Sequence, residues 1–92
     1  MIRTFKDKHT ERLYARQFVK QFSGIERQAL KRLRILDSAD ALAALGALPS
    51  NHLEALRGDR AGQYSIRVND QFRLCFRWTA SGAEDAEIVD YH

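Results

Sequence analysis

The residues of this chain best equipped for chemistry are Asp90, Tyr91 and His92 at its end, His52 and Glu54 near its middle, and the arginines Arg57 and Arg73. Cleaving RNA without a metal needs a base for the 2′-hydroxyl proton and an acid for the leaving 5′-oxygen. It also needs cations for the charge that builds on the phosphorane. Carboxylates and imidazoles suit the first two tasks, guanidinium groups the third. His52 and Glu54 are two apart in a segment that reads as extended, so their side chains should point the same way. Asp90, Glu54 and His52 are all candidates for the base. The plainer alternative is that Tyr91 packs and that Asp90 and His92 are solvated. No glycine-rich phosphate loop, nucleophile elbow or HExxH motif offers a competing chemistry.

For these groups to meet, a sheet must hold them. Residues 84–89 read as a strand, which would pin an ending that otherwise frays. Residues 63–68 alternate, with Tyr64, Ile66 and Val68 on the apolar face. Residues 72–78 alternate too, with Phe72, Leu74, Phe76 and Trp78 on theirs. A three-residue loop at Asn69, Asp70 and Gln71 sets Val68 against Phe72, Ile66 against Leu74 and Tyr64 against Phe76. A two-residue loop would set Ile66 against Arg73 and bury charge, so the first register is expected. On the opposite face Arg67 then meets Arg73, Ser65 meets Cys75, and Gln63 meets Arg77. Like charges directly opposite cost up to about 1 kcal/mol. Either Glu87 and Asp90 neutralise this face, or it awaits an anion such as phosphate, which guanidinium binds bidentately. We favour the anion, with Arg67 and Arg77 as further RNA contacts. Asp90 shares its strand face with Ile88 and Ala86. The last residues must therefore turn if Asp90 and His92 are both to reach the arginines.

The helices come earlier. Residues 2–5 could form a short strand, and Asp7 or Thr10 can cap a helix running to about residue 17. Phe18 and Phe22 are spaced for one helix face, but Ser23-Gly24 interrupts. Over residues 25–36 the period is clear. Ile25, Ala29, Leu33 and Leu36 share one face, and Arg27, Lys31 and Arg34 another. Ser38 looks like the cap of a short helix over 39–45, ended by Gly46 and Pro49. Residues 53–56 could be a strand stopped at Gly58-Asp59. Helices first and antiparallel strands after indicate one α+β domain over residues 1–92, its N-terminal helices packed on one face of a small, mostly antiparallel sheet.

Composition limits the partners. Hydrophobic residues at 45% and charged residues at 29% describe an ordinary globular chain rather than a disordered one. No apolar run approaches the roughly 20 residues that span a bilayer, and the start lacks a signal-peptide core, so a cytoplasmic home is expected. The single Cys75 allows no internal disulfide, and without a CxxC or a His/Cys cluster no structural zinc or other cofactor is expected. Residues 1–36 hold ten Lys/Arg against three Asp/Glu, whereas residues 37–92 hold five against nine. The basic first part suggests a polyanionic partner, either nucleic acid or an acidic protein segment; a merely well-solvated helical surface is the bland alternative.

The stretch Asn51-His52-Leu53-Glu54-Ala55-Leu56-Arg57-Gly58-Asp59-Arg60-Ala61-Gly62-Gln63-Tyr64-Ser65-Ile66-Arg67-Val68-Asn69-Asp70-Gln71-Phe72-Arg73-Leu74-Cys75-Phe76 and the ending Glu87-Ile88-Val89-Asp90-Tyr91-His92 carry a resemblance. So does the helix segment Lys31-Arg32-Leu33-Arg34-Ile35-Leu36-Asp37. The chain resembles the HigB (host inhibition of growth, or plasmid maintenance killer) toxins of type II toxin–antitoxin systems, within the RelE/ParE superfamily, over nearly its whole length. That resemblance implies a RelE-like fold and ribosome-dependent mRNA cleavage in the aminoacyl site. It implies a helix-turn-helix antitoxin, HigA, as partner, with operator DNA reached only through the antitoxin complex. In relatives a histidine, a basic residue and a terminal Asp-Tyr-His carry activity. The last maps onto Asp90, Tyr91 and His92, and the basic residue onto Arg57; Arg73 lies in the shared aromatic-Arg-aliphatic motif. Position 54 departs, with Glu where some relatives have His, which bears on the identity of the base and on the strength of cleavage. Arg27, Lys31 and Arg34 would then meet ribosomal RNA or, alternatively, the antitoxin. Two other functions stay in view. One is gyrase inhibition of the ParE kind. The other is a weakly cleaving or non-cleaving toxin acting through antitoxin and ribosome binding.

Overall fold

The structure, a computed structural model, describes residues 1–91. The helices are α1 (Lys8–Tyr14), α2 (Glu26–Ser38) and α3 (Leu42–Gly46). The strands β1 (Glu54–Ala55), β2 (Tyr64–Arg67), β3 (Phe72–Thr79) and β4 (Gly82–Asp90) pair antiparallel in chain order. The helices pack on the sheet face that carries Ile66, Leu74, Phe76 and Ile88. With Ala29, Leu33 and Leu36 of α2, each 0% exposed, these form the core. This is the α+β arrangement that the order of patterns predicts. No helix among the described residues is long and apolar enough to cross a membrane.

The central hairpin takes the expected register, with Tyr64 opposite Phe76, Ser65 opposite Cys75, Ile66 opposite Leu74 and Arg67 opposite Arg73. Asn69 builds its loop by accepting hydrogen bonds from the N–H groups of Gln71 and Phe72, both at 2.8 Å. β4 holds what alternation could not show. Cys75 faces Glu87, yet Arg77 faces Glu84, so one extra residue is inserted between the two pairs. Asp85 sits there with φ 55°, a left-handed turn that Asp tolerates. The bulge lets Ala83, Ala86 and Ile88 all point inward, although two residues rather than one separate the first two. Beyond β4 the N-terminal segment adds two isolated parallel bridges, Ile2 to Ala83 and Phe5 to Ala86, where the sequence suggests a short strand over residues 2–5.

Several local expectations are corrected. Asp7 does cap α1, accepting from the Thr10 N–H at 3.4 Å. The helix stops at Tyr14 rather than near residue 17, because Arg16 turns left-handed at φ 65°. Phe18 and Phe22 do not share a face: Phe22 is buried and Phe18 is 74% exposed. Ser38 is not a cap. It is the last residue of α2, and its hydroxyl donates back to the Ile35 carbonyl at 3.2 Å, so the next helix starts only at Leu42. The Asp37 side chain ties three segments together. It accepts from the Ile2 N–H and from the Tyr14 hydroxyl, both at 2.7 Å. Burial raises the Asp37 carboxyl, but those two donors outweigh it and hold the group below its ordinary range. Burial, reinforced by the Asp37 carboxylate, pushes the Tyr14 phenol up to about 12.

Candidate active site

The polar face of the sheet is built on alternation. Ser65 and Arg67 of β2, Arg73, Cys75 and Arg77 of β3, and Glu87 and Val89 of β4 all point away from the helices. Glu54 pairs with Ser65 and so joins them from β1. Toward the hairpin end, Glu54, Arg67, Asn69, Asp70, Arg73 and Tyr91 line a concavity of about 440 Å³.

Arg73 is its fixed point. Its Nε donates to the Ser65 hydroxyl at 2.7 Å, and its Nη2 donates to the His52 carbonyl at 2.6 Å. The side chain is only 15% exposed, and Glu54 Oε1 lies 3.8 Å from Nη2. A guanidinium tethered this way has lost most of its rotamer freedom before any ligand arrives. Its tether runs further into the fold. Arg32 of α2 donates to Asn51 Oδ1 at 2.7 Å, and Asn51 Nδ2 donates to the Leu45 carbonyl at 3.0 Å. Asn51 is fully buried, and this anchors the turn whose next residue, His52, offers its carbonyl to Arg73.

The Arg67/Arg73 juxtaposition is relieved by carboxylates other than those expected. Arg67 pairs with Asp70 and Arg73 with Glu54, while Arg77 pairs with Asp85 at 3.5 Å. Glu87 instead binds Arg60 at 3.2 Å, a residue the sequence did not single out. Arg60 reaches the face because the 3₁₀ turn Gly58–Arg60 carries it back over β4, where it also meets Gln63 at 3.1 Å. The tight Gly58 to Gly62 spacing was the available signal. Tyr91 lies among these groups with its hydroxyl hydrogen-bonded to the Cys75 thiol. Burial raises both the thiol and the phenol, and the hydrogen bond between them raises the phenol further while lowering the thiol.

Other proposed residues lie elsewhere. His52 is not extended: at φ 45° and ψ 54° it is left-handed, so the two-residue spacing to Glu54 does not align their side chains, and it is the His52 backbone that serves the site. Arg57 precedes the 3₁₀ turn, exposed and outside the concavity. Asp90 does not turn toward the arginines. It pairs with Phe72, and the Tyr91 N–H donates to the Gln71 carbonyl at 2.7 Å, so β4 stays extended to its end. Asp90 therefore lies on the helix side, in a groove with Asp7, His9, Phe22 and Phe72, where it accepts from Gln71 Nε2 at 2.9 Å. Arg77 is on the polar face but away from the concavity. Arg27, Lys31 and Arg34 are exposed on the outer side of α2. His92 lies outside the described residues.

Residues 3–92 match the model of a protein family described as the RelE-like toxin of type II toxin-antitoxin system HigB. The chain is 42% identical over 76 residues to Toxin HigB-1 of Vibrio cholerae serotype O1, covering 80% of each chain. It is 30% identical over 95 residues to Endoribonuclease HigB of Proteus vulgaris, covering the whole of both.

Proposed function

The chain belongs to the HigB family of RelE-like toxins of type II toxin–antitoxin systems, and we propose that it is an endoribonuclease that cuts mRNA on the ribosome. The observation that carries the reading is Arg73, tethered by Ser65 and the His52 carbonyl, with Glu54 at 3.8 Å and Tyr91 in the same concavity. Arg73 and Arg67 hold the scissile phosphate. Glu54 takes the proton of the 2′-hydroxyl, whose oxygen attacks phosphorus, and the bond to the 5′-oxygen breaks. His92 protonates that oxygen, leaving a 2′,3′-cyclic phosphate or 3′-phosphate. Tyr91 donates a hydrogen bond to the phosphate or packs on a base. Arg57, next to this face in sequence, adds a cation to the RNA path. Asp90, on the other side of the sheet, orders the end of the strand through Phe72 and Gln71.

Because each sheet arginine already has a carboxylate partner, RNA must displace Glu54 from Arg73 and Asp70 from Arg67. That cost favours a modest cleavage rate on free RNA and a dependence on the ribosome to present the message. The exposed Arg27, Lys31 and Arg34 would dock on ribosomal RNA. The family implies an antitoxin; a HigA-type helix-turn-helix protein, in the cytoplasm, with operator contacts made through it, is the form we propose. Primer extension on mRNA after induction tests the nuclease. Cuts should appear with the wild-type chain and vanish with His92→Gln. Growth arrest with intact message, or a DNA-damage response, would overturn it in favour of a non-cleaving or gyrase-directed toxin.

A further inference from the structure

Two groups of positive charge differ in their partners. Those on the sheet (Arg60, Arg67, Arg73 and Arg77) are each paired with a carboxylate. Among the described residues, Arg16, Lys20, Arg27 and Arg34 on the helical side make no ion pair within 4.0 Å. Arg16 forms part of an apolar groove of about 290 Å³ also lined by Leu13, Gln17, Phe18, Glu26 and Leu30. Phe18 is 74% exposed, the most exposed of the large hydrophobic side chains. Its one carboxylate, Glu26, already accepts from the Gly24 N–H at 2.9 Å. Arg27 and Arg34 stand three residues before and four after Leu30 and so flank the groove on the same helix.

We propose that this groove is the docking surface for the antitoxin, which fills it with an amphipathic helix carrying an apolar residue beside acidic ones. The chemistry selects that occupant. Two leucines and an exposed phenylalanine ask for an apolar anchor, which a nucleic-acid backbone does not supply. The surrounding unpaired cations ask for carboxylates. An aromatic anchor in a pocket with an arginine rim is the composition of an interface hot spot, and a helix laid in a groove is a common way to fill one. A helix seated there covers Arg27 and Arg34 as well, so antitoxin and ribosomal RNA would exclude one another on α2. This inference rests on the antitoxin part of the functional reading and not on the nuclease part.

The test uses the whole chain with the cognate antitoxin of the same system. Phe18→Glu, an exposed position whose change leaves the core intact, should weaken antitoxin binding by about 100-fold while leaving mRNA cleavage by the free chain unchanged. Arg16→Glu combined with Arg27→Glu should weaken it further at low salt than at high salt. Hydrogen exchange of the wild-type complex should show new protection within residues 13–30, which keeps the test independent of any variant's folding. Unchanged affinity in Phe18→Glu together with no protection there would overturn the proposal. So would loss of ribosome binding, instead of antitoxin binding, in that variant, which would make the groove an RNA surface. Loss of antitoxin binding in a chain that never cleaves would uphold the groove and defeat the nuclease reading.

Discussion

In the proposed mechanism Glu54 has two duties that pull in opposite directions, and its replacement separates them. As the base it would be needed in the transition state; as the partner of Arg73 it would compete with the substrate's phosphate. It is 61% exposed, so the ion pair is screened and holds Arg73 only weakly. Glu54→Gln should therefore lower kcat by about 10²-fold or more while lowering KM for programmed ribosomes by roughly two- to fivefold. An unchanged kcat would remove Glu54 from the proton transfer. The hairpin register put Arg73 on the polar face, whereas the pairing of Glu54 with Ser65 that brings the carboxylate beside it comes from the structure. The sequence misled on His52, whose left-handed backbone has no marker in a residue that is neither Gly nor Asn. Arg60 was harder to see, because it reaches the sheet through the turn marked only by Gly58 and Gly62 and not through a strand.

At the scale of elements, the edge of β4 is decided by close backbone approach. Gly82 has φ 127°, and a Cβ there would collide with the Met1 carbonyl oxygen that accepts from the Ala83 N–H at 2.9 Å. Gly82→Ala must either strain the backbone or displace the N-terminal bridge. It should cost about 2 kcal/mol or more, seen as a fall in Tm of roughly 10 °C; a melting curve superimposable on the wild type would contradict the parallel pairing. The hairpin of β2 and β3 was legible residue by residue, because burial selects one register and a slip would place Arg73 in the core. The bulge at Asp85 was not, since one inserted residue leaves the composition of a strand unchanged and shows only in which alanines are buried. The start of α3 was missed for a related reason. Ser38 has the chemistry of a cap, but it is taken up as the last residue of α2, its hydroxyl donating to the Ile35 carbonyl.

At the scale of the molecule, Asp37 joins the N-terminal segment, α1 and α2. Its carboxyl is held below the ordinary range, so its contribution to folding is complete above the unfolded-state pKa of about 4 and disappears as the pH falls through the depressed value. Asp37→Asn should cost about 1–2 kcal/mol at neutral pH, and the gap between variant and wild type should close in acid. A gap that stayed constant down to low pH would assign the loss to packing. The division between paired and unpaired arginines has a kinetic meaning too. Charge that is already neutralised at short range contributes little to the field at a distance, so the far field of the protein is set by its helices. A polyanion arriving by diffusion is turned toward α2 before it feels the sheet, and that bias belongs to the association rate and fades with added salt. On the proposed function the tethered arginines would act only after contact and set how long the complex lasts. Recognition by this molecule would then have an order in time: orientation by the helices, then retention by the sheet.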